Sequence, residues 1–149
     1  NESQTPKEYY SDQDITKQDF SNTLGLCLKK PGFLGHNLLT LAYLIRHKSI
    51  LTDAEYNAGL FQIGQMVNYK WNNPIFEKEL SVNEIPDFAI NDTTLENTIL
   101  SLLENGTKDV HTLTMADITY EIWTVCNNRQ KQILKYYLDN IFDKAKKVK

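Results

Sequence analysis

Arginine is almost missing from this sequence: of 16 basic residues only Arg46 and Arg129 carry a guanidinium, and the formal net charge is −3. A chain with that balance projects no long-range field toward phosphate backbones or anionic lipid, so nucleic acid is not the expected partner. Cysteine is scarce too, with only Cys27 and Cys126. Neither belongs to a CxxC pair, which sets aside zinc ribbons and disulfide-dense scaffolds. At most one bridge could form. An exported mature chain would be free to make it and a cytoplasmic fragment would keep two buried thiols, and a sequence opening on Asn1 is equally compatible with both. Long apolar runs are absent as well. The stretch Leu38 to Ile45 is interrupted by Thr40 and Tyr43, well short of the roughly 18 apolar residues that span a bilayer.

Motifs with a known mechanism are also lacking. There is no GxxxxGK[ST] phosphate loop, no GxGxxG, no HExxH and no GxSxG elbow. These gaps remove common catalytic designs and leave no cofactor and no metal site to expect. Strand-like alternation is nearly absent, while hydrophobic residues at 41% and charged residues at 23% are ordinary globular values. A chain of 149 residues matches the commonest size of one domain.

What is present is helical periodicity, and it is densest from Phe33 to Trp71. Leu34, Leu38, Leu41 and Ile45 recur at helical spacing, with Leu39, Ala42 and Leu44 widening the apolar sector until the helix has to be buried. Thr52-Asp-Ala-Glu55 reads as a capping box, with Leu51 and Tyr56 at the staple positions, so a second helix starts there. That helix carries Tyr56, Leu60, Ile63, Val67 and Trp71 on one stripe. Gly59 and Gly64 lower its propensity, which a close approach by a neighbouring helix or a bend would explain.

The remaining chain is read around this hairpin. Residues 1–10 are polar and aperiodic, a flexible N-terminal segment, and 11–149 is read as a single helical domain. Ser11 or Thr16 is expected to cap a helix bearing Phe20, Leu24, Cys27 and Leu28, which Lys29-Lys30 and Pro31-Gly32 end. From Pro74 to Asp92 the pattern is irregular, with short helical possibilities at Ile75 to Leu80 and after Ser81. Thr93-Thr-Leu-Glu96 caps a helix with Leu95, Ile99, Leu102 and Leu103 inward, stopped at Asn105-Gly106. A loop holding His111 precedes a final helix from Thr114, one phase for nearly thirty residues with a kink at Asn127-Asn128. The lysine-rich end from Lys144 to Lys149 is read as a solvated helix terminus. The predicted fold is therefore all-α, a single bundle-like domain of five or six helices around a central αα-hairpin.

Candidate functional residues are few. His36, Thr40, Tyr43 and His47 fall on one stripe of the first hairpin helix. Its two histidines are about 16 Å apart at 1.5 Å per residue and cannot share one metal ion. As a ligand cleft the stripe would supply imidazoles and a phenol for orientation; as a solvent-facing side it needs no function, and that plainer reading is preferred. Arg129 lies in an apolar phase and requires a carboxylate or carbonyls. An internal ion pair is preferred over an anionic ligand. Aromatics such as Phe76 and Phe88 in the irregular stretch suit a partner-facing surface or a cover over the core. The functional expectation is a non-enzymatic protein-interaction module, an inhibitor, immunity-type or adaptor protein, that presents a surface built from the Asn72 to Asp92 segment and nearby aromatics to another protein. The alternative is a small-molecule-binding protein or enzyme whose cleft is lined by His36, Tyr43, His47 and Arg129. Oligomeric state has no signature in the sequence.

Overall fold

The structure is a computed structural model that describes residues 19–32, 35–68, 82–106 and 110–139. Among these there are six α-helices and no strand. They are α1 (Phe20–Lys29), α2 (His36–His47), α3 (Asp53–Asn68), α4 (Thr94–Gly106), α5 (Val110–Val125) and α6 (Asn128–Tyr137). Short 3-10 turns at Lys48–Ile50 and Val82–Glu84 complete the described elements. None of the described helices is long and apolar enough to cross a membrane.

Helix α2 is the centre. It packs on α1, α3 and α5, while α4 lies on α5 and α6 reaches back to α1. Leu38, Leu41 and Ala42 of α2 join Leu24, Cys27 and Leu28 of α1 and Leu60, Ile63 and Val67 of α3 in one hydrophobic core. Met115, Ile118, Ile122 and Trp123 of α5 close it from the other side, and Ile133, Leu134 and Tyr137 of α6 extend it. The apolar sector expected to bury the hairpin thus does so.

Local chemistry explains the starts and stops. Helix α3 begins with the expected capping box: the Glu55 N–H donates to Thr52 Oγ1 at 3.2 Å, and the Thr52 N–H donates to the Glu55 carboxylate at 2.8 Å. Helix α1 is capped by Asp19, whose carboxylate accepts from the Ser21 N–H at 3.0 Å. The expected caps Ser11 and Thr16 lie outside the described residues. At α4 the start is organised from Asn91, two residues before Thr93. Asn91 Oδ1 accepts from the Thr93 N–H and from both threonine hydroxyls, and Thr94 Oγ1 accepts from the Asn91 N–H at 3.0 Å. An Asx turn with a reciprocal bond replaces the anticipated Thr93 cap.

The last third of the chain corrects the sequence reading. His111 lies within α5, which begins at Val110, and not in a loop. The long final helix is two helices, since α5 stops at Val125 and α6 starts at Asn128. Asn127 caps α6 by accepting from the Gln130 N–H at 2.9 Å, while Gln130 Oε1 accepts from the Asn127 N–H at 2.9 Å. That capping box satisfies the orphan amides of a fresh start, so the expected kink becomes a full break. The N-terminal segment 1–10, the possible helix at 75–80, the stop at 72–74 and the lysine-rich tail all lie outside the described residues.

Arg46 ties α2 to α5. Its guanidinium donates two bonds to Asp117, at 2.9 and 3.0 Å, and one to Glu121 at 3.2 Å. Asp117 and Glu121 are four residues apart on α5 and so present both acceptors on one face. The hydrogen bonds from Arg46, with its charge, hold the Asp117 carboxyl below the ordinary carboxylate range. A depressed folded-state value stabilises the fold fully above the unfolded value of about 3.9, and the contribution is lost as pH falls through the folded value. Asp117→Asn is therefore expected to lower the urea midpoint slightly at pH 7, with the gap to wild type closing below about pH 4. Both side chains are well exposed, so 1 M salt should shrink the gap as well.

Candidate interaction groove

The residues of the α2 stripe have two fates. His36 and His111 stack with ring centroids 5.8 Å apart and planes 27° from parallel, linking the starts of α2 and α5. Thr40, Tyr43 and His47 instead border a groove between α2 and α3. Leu44 of α2, Leu51 of the turn and Gly59, Gln62, Ile63 and Met66 of α3 complete its lining, and its volume is about 510 Å³. Its apolar surface comes from Leu44, Leu51, Ile63 and Met66, and its polar groups from Thr40, Tyr43, His47 and Gln62.

The groove follows from helix spacing. On α3 the lining positions Gly59, Gln62, Ile63 and Met66 follow the three- and four-residue steps of one helical face, and on α2 Thr40, Tyr43, Leu44 and His47 do the same. Gly59 permits the close approach between them, because a Cβ there would lie 2.6 Å from Leu44 Cδ1. The helix-weakening glycine noted in the sequence is thus where Leu44 packs against bare backbone. Each side of the groove covers about two helical turns, roughly 10 Å.

The polar rim is partly committed. Thr40 Oγ1 donates to the His36 carbonyl at 2.8 Å. The His47 Nδ1–H donates to the Tyr43 carbonyl at 2.7 Å, which fixes the ring's orientation and turns Nε2 away from that bond. The Arg46 guanidinium lies over the Tyr43 ring at 5.9 Å from its centroid, and Tyr43 remains 40% exposed. At the turn, Lys48 stands over the ring of Tyr56 at 4.9 Å. Partial burial raises the Tyr56 hydroxyl above its usual range, so it stays a neutral phenol.

The other sequence candidates sit elsewhere. Arg129 donates to Asp87 at 3.0 Å, to Gln132 at 2.9 Å and to the Ile85 carbonyl at 2.9 Å. Gln132 in turn donates to the Phe88 carbonyl at 2.7 Å, so α6 fastens the stretch 85–88 through two side chains. Phe88 is half-buried there, and Phe76 lies outside the described residues. Of the four residues considered for one cleft, the structure brings Tyr43 and His47 together and sets His36 and Arg129 apart. The groove's α3 side was missed by sequence reasoning. Its signal was the face Gly59, Ile63 and Met66, which periodicity alone cannot distinguish from core.

Cys27 and Cys126 are free thiols in the structure, both buried. Burial pushes each up to about 12, so neither is an activated nucleophile at neutral pH. Ellman's reagent at pH 8 is expected to leave both unmodified in the native protein and to titrate both in 8 M urea. Rapid native labelling would contradict this burial. Among the described residues no group of three or more His, Cys, Asp or Glu side chains is placed to hold a metal ion.

Comparison with known proteins returns nothing. No family model, no curated protein and no solved structure matches the chain.

Proposed function

We propose that the protein is a non-enzymatic interaction module that receives apolar side chains of a protein partner in the groove between α2 and α3. The observation that carries this reading is the groove's composition. An open surface whose half-buried Leu44, Leu51 and Met66 surround a floor at buried Ile63 leaves apolar area in water that a partner would cover. Tyr43, Gln62 and His47 provide a polar margin without fixed charge, as at the rim of an interface. Two turns of helix on each side offer room for anchors spaced one to two turns apart.

The test uses protein with 13C-labelled Leu, Ile and Met methyls and a 14-residue amphipathic Leu/Lys peptide as the probe. Saturable shifts at Leu44, Leu51, Ile63 and Met66, reduced by Gln62→Arg at the rim, are the expected result. Absence of saturation up to about 1 mM peptide would end the proposal. A second reading has one observation in its favour: about 510 Å³ also lies within the range of small-molecule sites. Here Tyr43 and His47 would orient a small apolar ligand, and shifts produced by indole but not by the peptide would select it.

A further inference from the structure

The geometry points to a second copy of this chain as the occupant of the groove, with Ile50 of each copy seated between α2 and α3 of the other. This rests on the reading of the groove as a protein-binding surface and names its partner. Ile50 is 75% exposed, the most exposed of the large hydrophobic residues described. It ends the Lys48–Ile50 turn, and the next residue, Leu51, already lines the groove. An apolar knob and an apolar hole therefore stand side by side at one end of one hairpin. A two-fold interface brings a surface patch against itself, so such a pair fills reciprocally, each knob entering the other copy's hole. A partner that filled only the groove would leave Ile50 in water; a second copy buries both.

Charge at the same end suits self-association. Lys48 and Asp53 are both exposed and flank Ile50 on its two sides. Antiparallel superposition of two such turns sets the cation of one copy toward the anion of the other, so like charges need not meet. Arg46 and Glu55, the other nearby charges, are already bonded within the chain, to Asp117 and to the Thr52 N–H, and Lys48, although over the Tyr56 ring at 4.9 Å, remains exposed to an incoming carboxylate. The contact is small, which implies a weak, exchanging dimer with a dissociation constant of about 10⁻⁵–10⁻³ M.

Sedimentation equilibrium of the full chain from about 10 µM to 1 mM tests the inference, with methyl spectra recorded over the same range. The wild type is expected to rise in mass from monomer toward dimer, with concentration-dependent shifts at Leu44, Ile63 and Met66. Ile50→Asp removes an exposed side chain and leaves the core intact, and it should weaken association about 100-fold or more because each dimer loses two knobs. A wild type that remains monomeric throughout, or an Ile50→Asp variant that associates as before, overturns the dimer. Peptide-induced shifts in a monomeric wild type would then leave the groove's protein-binding role standing, whereas loss of both responses removes the two readings together.

Discussion

Gly32→Ala is expected to lower the unfolding free energy by about 2–4 kcal/mol, a large share of a typical domain's stability. Two costs combine. Gly32 has φ +79°, in the left-handed region that L side chains rarely adopt. An added Cβ would also stand 2.8–2.9 Å from the amide group of Asn37. That amide cannot easily yield, since Asn37 is 0% exposed and its Nδ2 donates to the Lys30 carbonyl at 2.7 Å, holding the end of α1 against the start of α2. Displacing it would unpair a helix-terminal carbonyl. Gly25→Ala is the matched control. It lies inside α1 with nothing within 4 Å of the new Cβ, and should stabilise by about 0.5–1 kcal/mol. Urea unfolding of the two variants should move the midpoint in opposite directions. In a cycle with Asn37→Ala, the Gly32→Ala loss should shrink, because part of it is the clash between these two residues.

Leu41→Ala should cost about 2–5 kcal/mol, the range for a buried leucine whose surroundings relax only in part. Leu41 is 0% exposed and lies on α2, the helix that meets α1, α3 and α5. A cavity there removes dispersion contacts with several elements at once, and close-packed neighbours cannot all move in to fill it. Leu100→Ala, the same chemistry on the 53% exposed side of α4, should change stability by less than about 0.5 kcal/mol. Equal losses at the two sites would mean that α2 is not the centre of the core. A drop in denaturant m-value for Leu41→Ala would show that cooperativity, and not only stability, depends on this helix.

Helix content and the central hairpin were readable because they are written in short-range patterns. Leu38, Leu41, Leu60, Ile63 and Val67 repeat at the period of the helix they form, and all five are buried. Thr52 and Glu55 are three residues apart, within reach of each other in any chain that starts a helix there. Two local signals were passed over. Asn127-x-x-Gln130 is a capping pattern that splits α5 from α6, yet the apolar phase continuing across it suggested one kinked helix. Asn91-x-x-Thr94 likewise carries the start of α4, two residues before Thr93.

The candidate site was less legible. Tyr43 and His47 were singled out, but their neighbours across the groove, Gly59, Gln62, Ile63 and Met66, sit on another helix whose rotation the sequence leaves free. Arg129 has the carboxylate that the sequence reading asks for in Asp87, 42 residues away in the chain, but the pair is exposed and not internal, with the Asp87 side chain 88% exposed. That the partner would be Asp87 and the Ile85 carbonyl could not be read from spacing, and neither could the pairing of Arg46 with Asp117 and Glu121.

The all-α character of this chain, the place where its hairpin turns and the inward faces of those helices are legible in residue order alone. Such features depend on residues three or four apart, and backbone geometry holds those at constant separation. Which helices meet α2, the separation of α5 from α6 and the groove beside Gly59 emerge from packing. These depend on how side chains from distant segments fill a shared volume, and the missing methyl group at Gly59 acquires its meaning only once Leu44 lies against it.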